Sequence, residues 1–201
     1  MAQFGGPKVV KALHFDDKAK SKLTLGIKKI ADAVGSTLGA SGKTVIIEDD
    51  FGNPHVTKDG VTVANSILIS DPVENLGVSM IKQAAQQTAS LAGDGTTTSI
   101  VLTQAIIDSY KKLNGNNFSF RDIKKGINAF KDHVIEKLNE KAVKIDDSKL
   151  INVSAISANN DYELGNTIAE AFKNAGENGI VTMETSPSSS TYVETVEGTK
   201  I

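Results

Sequence analysis

The sequence lacks several residue types that would indicate particular classes of protein. Its 201 residues include no cysteine and no tryptophan, and only 5% of them are aromatic. The absence of cysteine excludes a disulfide scaffold, a thiolate metal site and a cysteine nucleophile. A chain of this length can instead bury a hydrophobic core of useful size. We therefore expect an ordinary globular chain without redox chemistry.

Excess charge and long apolar runs are also missing. The chain has 22 Lys plus Arg and 24 Asp plus Glu, a formal net charge of −2. Dedicated nucleic-acid binders usually carry a basic surface, so no nucleic-acid partner is expected. The longest apolar runs, such as Val45 to Ile47, are far shorter than the ~20 residues of a membrane-spanning helix, so no membrane partner is expected either. The N-terminus lacks the features of an export or transit signal, which predicts a cytoplasmic location.

Helical periodicity dominates the first ~140 residues. Apolar residues from Leu23 to Leu38 predict an amphipathic helix that ends at Gly39. Two β-branched segments around a turn at Gly52 to Pro54 predict a hairpin. The other predicted elements are an arm or edge strand over residues 8–15, a helix over Pro72 to Leu91, a helix through Val101 and Ile106, and a helix along Ile123 to Leu138 opened by a capping box at Ser119 to Asp122.

Shorter elements follow a predicted domain boundary near residue 142. The pattern predicts helices around Leu150 to Ile156 and Leu164 to Ala175, and strands at Ile180 to Met183 and Tyr192 to Val196. This second part is too small for a core of its own. The predicted fold class is therefore mostly α with a small β component.

The segment from Gly39 to Thr44 ends in Gly-Lys-Thr, as a phosphate-binding P-loop does. A P-loop also requires a glycine five positions before Gly42, where this chain has Thr37. It further requires a strand before the loop and a helix after it, the reverse of the order here. The spacing favours a glycine helix stop that leads into the hairpin.

The segment from Gly93 to Thr98 has the sequence Gly-Asp-Gly-Thr-Thr-Thr. Its glycines permit a tight turn between helices, and its threonines stand at a helix N-terminus, which attracts anions such as phosphate. An aspartate beside a phosphate is repulsive unless a divalent cation lies between them, so Asp94 is a candidate Mg²⁺ ligand. A plain N-cap after a turn explains the same residues equally well.

The segment Lys58-Asp59-Gly60 also places a short acid beside a glycine. Together with Asp94, the Asp59 carboxylate could hold a metal and its waters. Taken alone, however, Asp-Gly is a standard turn dipeptide, and the turn interpretation is favoured there.

Four segments, read together and in order, resemble the group I chaperonins, the GroEL-like ring ATPases. The resemblance runs from about Lys11 to the last residue. The Thr-Lys-Asp-Gly form and the Ile-Ser-Ala-Asn segment favour group I over group II. The four segments are Thr37 to Gly39, Val56 to Val61, Ala92 to Thr98 and Ile156 to Asp161.

The resemblance implies a domain organisation and a set of partners. Residues 1–141 would be the first half of a multihelical equatorial ATP-binding domain with a β-hairpin. Residues 142–196 would be the first half of an α+β intermediate hinge domain, and residues 197–201 the start of an apical domain whose remainder is absent. The parent protein would form a homo-oligomeric ring that encloses and refolds non-native client proteins, with a cochaperonin as a further partner. Its N-terminal strand and hairpin would pair with neighbouring subunits.

The resemblance also implies the residues of an ATP site with Mg²⁺ and, in addition, K⁺. Asp94 would hold Mg²⁺, and Asp59 would take part in catalysis, although the family's main catalytic aspartate lies outside this chain. Ala40 and Ser41 depart from the family's usual Pro-Lys, which removes a positive charge near the phosphates. The residues implied to bind the nucleotide are Thr37, Leu38, Gly39, Lys58, Asp59, Gly60, Gly93, Asp94, Gly95, Thr96, Thr97, Thr98, Ile156 and Ser157.

Three functions follow from these observations. The first is an ATP-driven chaperone subunit of which this chain is the N-terminal portion, inactive and poor at binding nucleotide by itself. The second is a small stand-alone Mg²⁺-dependent nucleotide phosphohydrolase. The third is a non-catalytic assembly fragment that adds its strands to neighbouring subunits by edge pairing.

Overall fold

The computed structural model describes residues 13–39, 41–49, 51–113, 118–176, 178–196 and 198. The chain divides into two compact units, Met1–Lys125 and Gly126–Ile201. The predicted class, mostly helical with a small sheet, is confirmed. The elements within the described residues are α1 (Asp16–Gly35), β1 (Val45–Glu48), β2 (Pro54–Thr57), α2 (Gly60–Ser66), α3 (Pro72–Ala92), α4 (Thr96–Leu113), α5 (Phe120–Lys141), α6 (Asp147–Ser157) and α7 (Tyr162–Ala175).

Helix α1 follows the predicted apolar spacing but ends earlier than predicted. Its buried face includes Ile30 and Val34, which are fully screened from solvent. The helix ends at Gly35, and the Thr37 hydroxyl then donates to the Val34 carbonyl oxygen at 2.8 Å. Such hydroxyl bonds offer the backbone an alternative to the helical ladder. The placement of Leu38 in the helix was therefore wrong, and its side chain is 44% exposed.

The predicted hairpin forms from β1 and β2, which pair antiparallel. Asp49 closes the turn, because its carboxylate accepts hydrogen bonds from the N–H groups of Phe51 and Asn53 at 2.9 and 2.8 Å. Pro54 was predicted in the turn, but it is the first residue of β2 and stands opposite Glu48. A proline is tolerated there because the first position of a strand can go without a ladder donor. The predicted strand over residues 8–15 lies mostly outside the described residues.

Helix α2 was not predicted as a separate element. It has seven residues and begins directly at the Asp-Gly dipeptide that the sequence favours as a turn. Its inner face carries Val63 and Ala64, both buried in the core of the first unit. The burial of these two residues lets so short a helix form, since an isolated helix of this length would be unstable.

The core of the first unit lies where α1, α2, α3 and α4 meet. Close approach of α1 and α3 depends on glycine, since a β-carbon on Gly26 would overlap the backbone of Glu74 and one on Gly77 would overlap the backbone of Leu23. The buried residues of this core are Ile27, Ile30, Ala31, Val34, Val63, Ala64, Val78, Ile81, Ala85 and Ile100.

Helix α5 begins at the predicted capping box. The N–H of Asp122 donates to the Ser119 hydroxyl at 3.2 Å, as an N-cap serine requires, and the hydroxyl donates in turn to the Asp122 carboxylate. Phe120 meets Tyr110 of α4 edge to face, with ring centroids 6.4 Å apart. The boundary between the two compact units falls inside α5, after Lys125. The functional boundary predicted near residue 142 stays a prediction.

The second unit is built on the pair α6 and α7. Ser154 and Ala155 of α6 are buried with Gly165 and Ala169 of α7, and a β-carbon on Gly165 would stand 2.7 Å from the Ala155 Cα. The two strands predicted at 180–183 and 192–196 are not formed in the described residues. A strand requires a hydrogen-bonded neighbour, and the apolar pattern of a segment does not reveal whether one is available.

No helix in the described part of the chain is both long enough and apolar enough to cross a membrane.

Candidate functional site

A tight glycine loop joins α3 to α4. Gly93 caps α3 with a φ of 75°, and its N–H donates to the Ala89 carbonyl oxygen at 2.8 Å. Gly95 has a φ of 88°. Both values lie in the left-handed region that glycine enters without steric cost, which explains the two glycines within three residues. The loop thus turns the chain directly from the end of one helix into the start of the next.

The start of α4 exposes backbone donors toward this loop. The N–H of Ser99 donates to the Gly95 carbonyl oxygen at 2.9 Å. Thr96, Thr97 and Thr98 are the first three residues of α4, so their N–H groups have no acceptor within the helix. The positive end of the helix dipole lies at the same place, and both features attract an anion. Thr96 is buried, whereas Thr98 is exposed.

Asp94 lies in the loop with an exposed side chain. Its carboxylate accepts a hydrogen bond from the N–H of Gly95 at 2.6 Å. The described residues include no group of three or more acidic, histidine or cysteine side chains that could hold a metal by themselves. Mg²⁺ commonly binds one or two carboxylates and completes its shell with water and phosphate oxygens. Asp94 fits a Mg²⁺ that arrives with a phosphate ligand.

Asp59 is the N-cap of α2. Its carboxylate accepts hydrogen bonds from the N–H groups of Val61 and Thr62 at 3.1 and 2.9 Å, and from the Thr62 hydroxyl. Burial raises the pKa of Asp59, but these hydrogen bonds outweigh it and leave the pKa below its ordinary value. Asp59 is therefore ionised at neutral pH, which suits a cation or an ordered water better than proton donation.

Three of the predicted site segments meet at Gly60. A β-carbon built on Gly60 would overlap the Thr97 hydroxyl oxygen and would stand 3.2 Å from the Thr37 hydroxyl oxygen. The loop after α1, the start of α2 and the start of α4 are thus in close contact. Because Gly60 is buried and has no side chain, the Thr97 hydroxyl oxygen can occupy the place of a β-carbon, with the Thr37 hydroxyl oxygen next to it.

Comparison with known protein families identifies the family of the chain. A sequence model of the TCP-1/cpn60 chaperonin family matches residues 30–201, which is most of the chain. The chain belongs to the TCP-1/cpn60 chaperonin family. Together with the two chaperonin 60 beta relatives described next, this match confirms the resemblance to group I chaperonins that the motifs predicted.

Two chloroplastic chaperonin relatives illustrate the match. The chain is 42% identical over 196 residues to chaperonin 60 subunit beta 3 of Arabidopsis thaliana, covering 96% of this chain and 33% of that protein. It is also 42% identical over 192 residues to the RuBisCO large subunit-binding protein subunit beta of Pisum sativum, covering 94% of this chain and 32% of that protein. The chain thus spans about a third of the length of these relatives.

Solved chaperonin structures have the same fold. The chaperonin gp146 of bacteriophage EL 2, crystallised in the presence of ATP-BeFx, matches with a TM-score of 0.70 and 30% identity, over 81% of this chain and 29% of that one. A group III chaperonin in the open state matches with a TM-score of 0.65 and 24% identity, over 77% of this chain and 31% of that one, which shows the fold alone.

The structure brings together part of the site that the chaperonin resemblance implies. Thr37, Gly60 and Thr97 are in mutual proximity around one point. Leu38 and Gly39 follow Thr37, while Lys58 and Asp59 precede Gly60, so these neighbours lie beside the same junction along the chain. Ile156 and Ser157 belong to the second unit, at the end of α6. Their closure over the nucleotide stays a prediction.

Sequence reasoning missed two groups of residues beside the candidate site. Thr62 binds Asp59 through both its N–H and its hydroxyl. Aspartate is a preferred N-cap residue, and this local signal could have indicated the start of α2. Thr88 and Ser99 also flank the glycine loop and bind each other through their hydroxyls. No local pattern predicts this pair, because it depends on how α3 and α4 pack.

Proposed function

We propose that this chain is part of an ATP-dependent ring chaperonin subunit and supplies the phosphate and Mg²⁺ side of its ATP site. The observation that carries the proposal is the junction at Gly60, where the loop after α1 and the starts of α2 and α4 converge. Family membership adds support, since the gp146 chaperonin was crystallised with an ATP analogue. We expect hydrolysis to belong to the whole subunit, with this chain inactive by itself.

Each residue of the site has a proposed role. Asp94 holds Mg²⁺, which neutralises the charge that builds up on the phosphates. Asp59, ionised and fixed by its cap bonds, orients the cation shell or a water. Lys58 adds a positive charge beside the phosphates. K⁺ is a second cation of the site. The residues that contact the nucleotide through backbone N–H groups or hydroxyls are Thr37, Leu38, Gly39, Gly60, Gly93, Gly95, Thr96, Thr97 and Thr98.

Assembly and clients form the second part of the proposal. In the described sheet each of β1 and β2 has one edge without a partner strand. The exposed side chains of Ile46 and Val56 stand opposite each other on one face of this sheet. Such an edge suits pairing with a neighbouring subunit. Non-native proteins are the proposed clients, with a cochaperonin as a further partner. The pea relative is named for binding the RuBisCO large subunit.

The cytoplasmic location is a separate proposal. The two curated relatives are named as chloroplastic, so the family occurs in more than one kind of compartment if this proposal holds. Fractionation of the source cells, with detection of the natural gene product, tests it.

The first experiment determines the mass and subunit number of the natural gene product by native mass spectrometry. A subunit well over twice the 21.2 kDa of this chain, in a multi-subunit ring, supports the chaperonin proposal. A monomer of 21.2 kDa would favour the stand-alone phosphohydrolase. A ring without nucleotide turnover would favour the assembly fragment.

The second experiment measures Mg²⁺-ADP binding to the natural gene product by calorimetry. Asp94→Ala should weaken binding by at least about tenfold to a hundredfold, because the loss of even an outer-shell partner of a metal costs that much. The control is Asp132→Ala, because Asp132 is an exposed aspartate of α5 paired only with its neighbour Lys131 in the described contacts. Unchanged affinity in the Asp94 variant would refute the assignment of the site.

A further inference from the structure

Two hydroxyl side chains bridge the helices on either side of the glycine loop. Thr88 lies one turn before the end of α3, and Ser99 lies one turn after the start of α4. Their hydroxyl oxygens are 3.2 Å apart and hydrogen-bonded, and both residues are half-buried. The bond therefore closes a short ring of chain that contains the whole loop from Gly93 to Gly95.

Further hydrogen bonds connect both residues of the bridge to their own helices and to the loop. The Thr88 oxygen is also 3.1 Å from the Ala84 carbonyl oxygen of its own helix. The Thr88 hydroxyl donates to the Ser99 hydroxyl oxygen, so its one hydrogen is shared between that oxygen and the Ala84 carbonyl oxygen. The N–H of Ser99 binds the Gly95 carbonyl oxygen at 2.9 Å, and its own carbonyl oxygen accepts from the Thr103 hydroxyl at 2.8 Å. Ser99 thus connects the bridge directly to the loop.

The loop needs such a constraint because its glycines do not provide one. Gly93 and Gly95 have open space where a β-carbon would lie, apart from an ordinary contact of 3.6 Å between Gly95 and the Thr88 methyl group. Glycine gives the backbone wide freedom, and ordering it on ligand binding costs conformational entropy. A loop held in its bound shape beforehand avoids that cost.

We propose that Thr88 and Ser99 are positioning residues whose hydroxyl bridge holds the Gly93–Gly95 loop in the shape that receives Mg²⁺-nucleotide phosphates. The inference rests on the proposed function for the identity of the ligand. The bridge itself acts on the loop whether or not a nucleotide is bound.

The test uses variants of the natural gene product that remove one hydroxyl group at a time. Thr88→Val and Ser99→Ala should each raise the Kd for Mg²⁺-ADP about threefold to tenfold, the range for losing one neutral hydrogen bond. The double variant should be no weaker than the single ones, because both remove the same bond. Thr88→Ser should restore affinity. The matched control is Ser90→Ala, because the Ser90 hydroxyl binds only the Gln86 carbonyl of its own helix in the described contacts.

Hydrogen exchange supplies a readout that does not depend on nucleotide. In the protein without ligand, Thr88→Val and Ser99→Ala should speed amide exchange over residues 93–98, while Ser90→Ala should leave it unchanged. Three results would overturn the proposal. In the first, exchange becomes faster but the effects of the two substitutions on Kd are additive. In the second, both variants keep the amide exchange and the Kd of the wild type, and in the third they lose thermal stability while exchange over residues 93–98 is unchanged. If the wild-type protein bound no Mg²⁺-ADP, the proposed function would fail, and the exchange rates would still decide the positioning role.

Discussion

Gly60 leaves no space for a side chain against Thr97, since a β-carbon at Gly60 would overlap the Thr97 hydroxyl oxygen. Gly60 is the first residue of α2, and Thr97 is the second residue of α4. The contact therefore sets the distance between two helix starts that carry predicted site residues. Thr37, from the loop after α1, lies at the same junction. The geometry of this junction therefore depends on having glycine at position 60.

Gly60→Ala should accordingly disturb both the fold and the site. The added methyl group must displace Thr97 or shift α2, and overpacking of this kind costs about 1–3 kcal/mol of unfolding free energy. We expect Mg²⁺-ADP affinity to fall at least about tenfold, because the donors at the start of α4 move with Thr97. Urea unfolding and calorimetry on the natural gene product measure the two effects.

Gly126→Ala is the control for that substitution. Gly126 lies inside α5, and a β-carbon there would have open space around it. Alanine in a helix interior is favoured over glycine by about 0.5–1 kcal/mol, so this variant should be slightly more stable and bind nucleotide normally. If Gly60→Ala behaved like Gly126→Ala, the tight junction would be disproved.

The helices around the site were predictable where the signals are local. The start of α3 at Pro72 and its end before Gly93 follow from a proline suited to the first helical turn and a glycine suited to a left-handed cap. The capping box at Ser119 is another local signal, and it predicted the start of α5. Each signal depends on the few residues beside it, so packing elsewhere in the chain does not override it.

Prediction failed where structure depends on distant partners. Helix α2 offers few apolar positions, and Asp59-Gly60 suits a turn as well as an N-cap, so the burial of Val63 decides for the helix. The segments 180–183 and 192–196 carry strand-like patterns without forming strands in the described residues. The junction of Thr37, Gly60 and Thr97 could be anticipated only through the family resemblance, because no spacing rule relates such separate segments.

A core residue of α4 provides a test of how the site is supported. Ile100 is fully buried, about one turn after the threonines at the start of the helix. Ile100→Ala should lower the free energy of unfolding by about 2–5 kcal/mol, and Ile100→Val by about 0.5–1.5 kcal/mol. Ile106, on the same helix, is 47% exposed, and Ile106→Ala should cost much less. Equal losses at the two positions in urea unfolding would contradict the described core.

Asp71 should make the stability of the first unit depend on pH. This N-cap of α3 accepts hydrogen bonds from the Lys22 ammonium of α1 and from the N–H groups of Glu74 and Val73. These bonds lower the pKa of Asp71 to about 2, and the bond from Lys22 has the largest effect. The unfolded chain has a pKa near 4 for this group. The stabilisation is therefore complete above about pH 4 and declines as the pH falls toward 2.

Asp71→Asn isolates this contribution, because asparagine can still cap the helix but carries no charge. The difference in urea midpoint between the wild type and this variant should be constant from pH 7 to pH 5 and shrink as the pH falls below about 4. Lys22→Met should flatten the same pH dependence by removing the ammonium partner. A difference between the wild type and Asp71→Asn that persisted at low pH would show that the variant alters the cap itself. An unchanged pH dependence in Lys22→Met would show that the bond from Lys22 does not control the titration of Asp71.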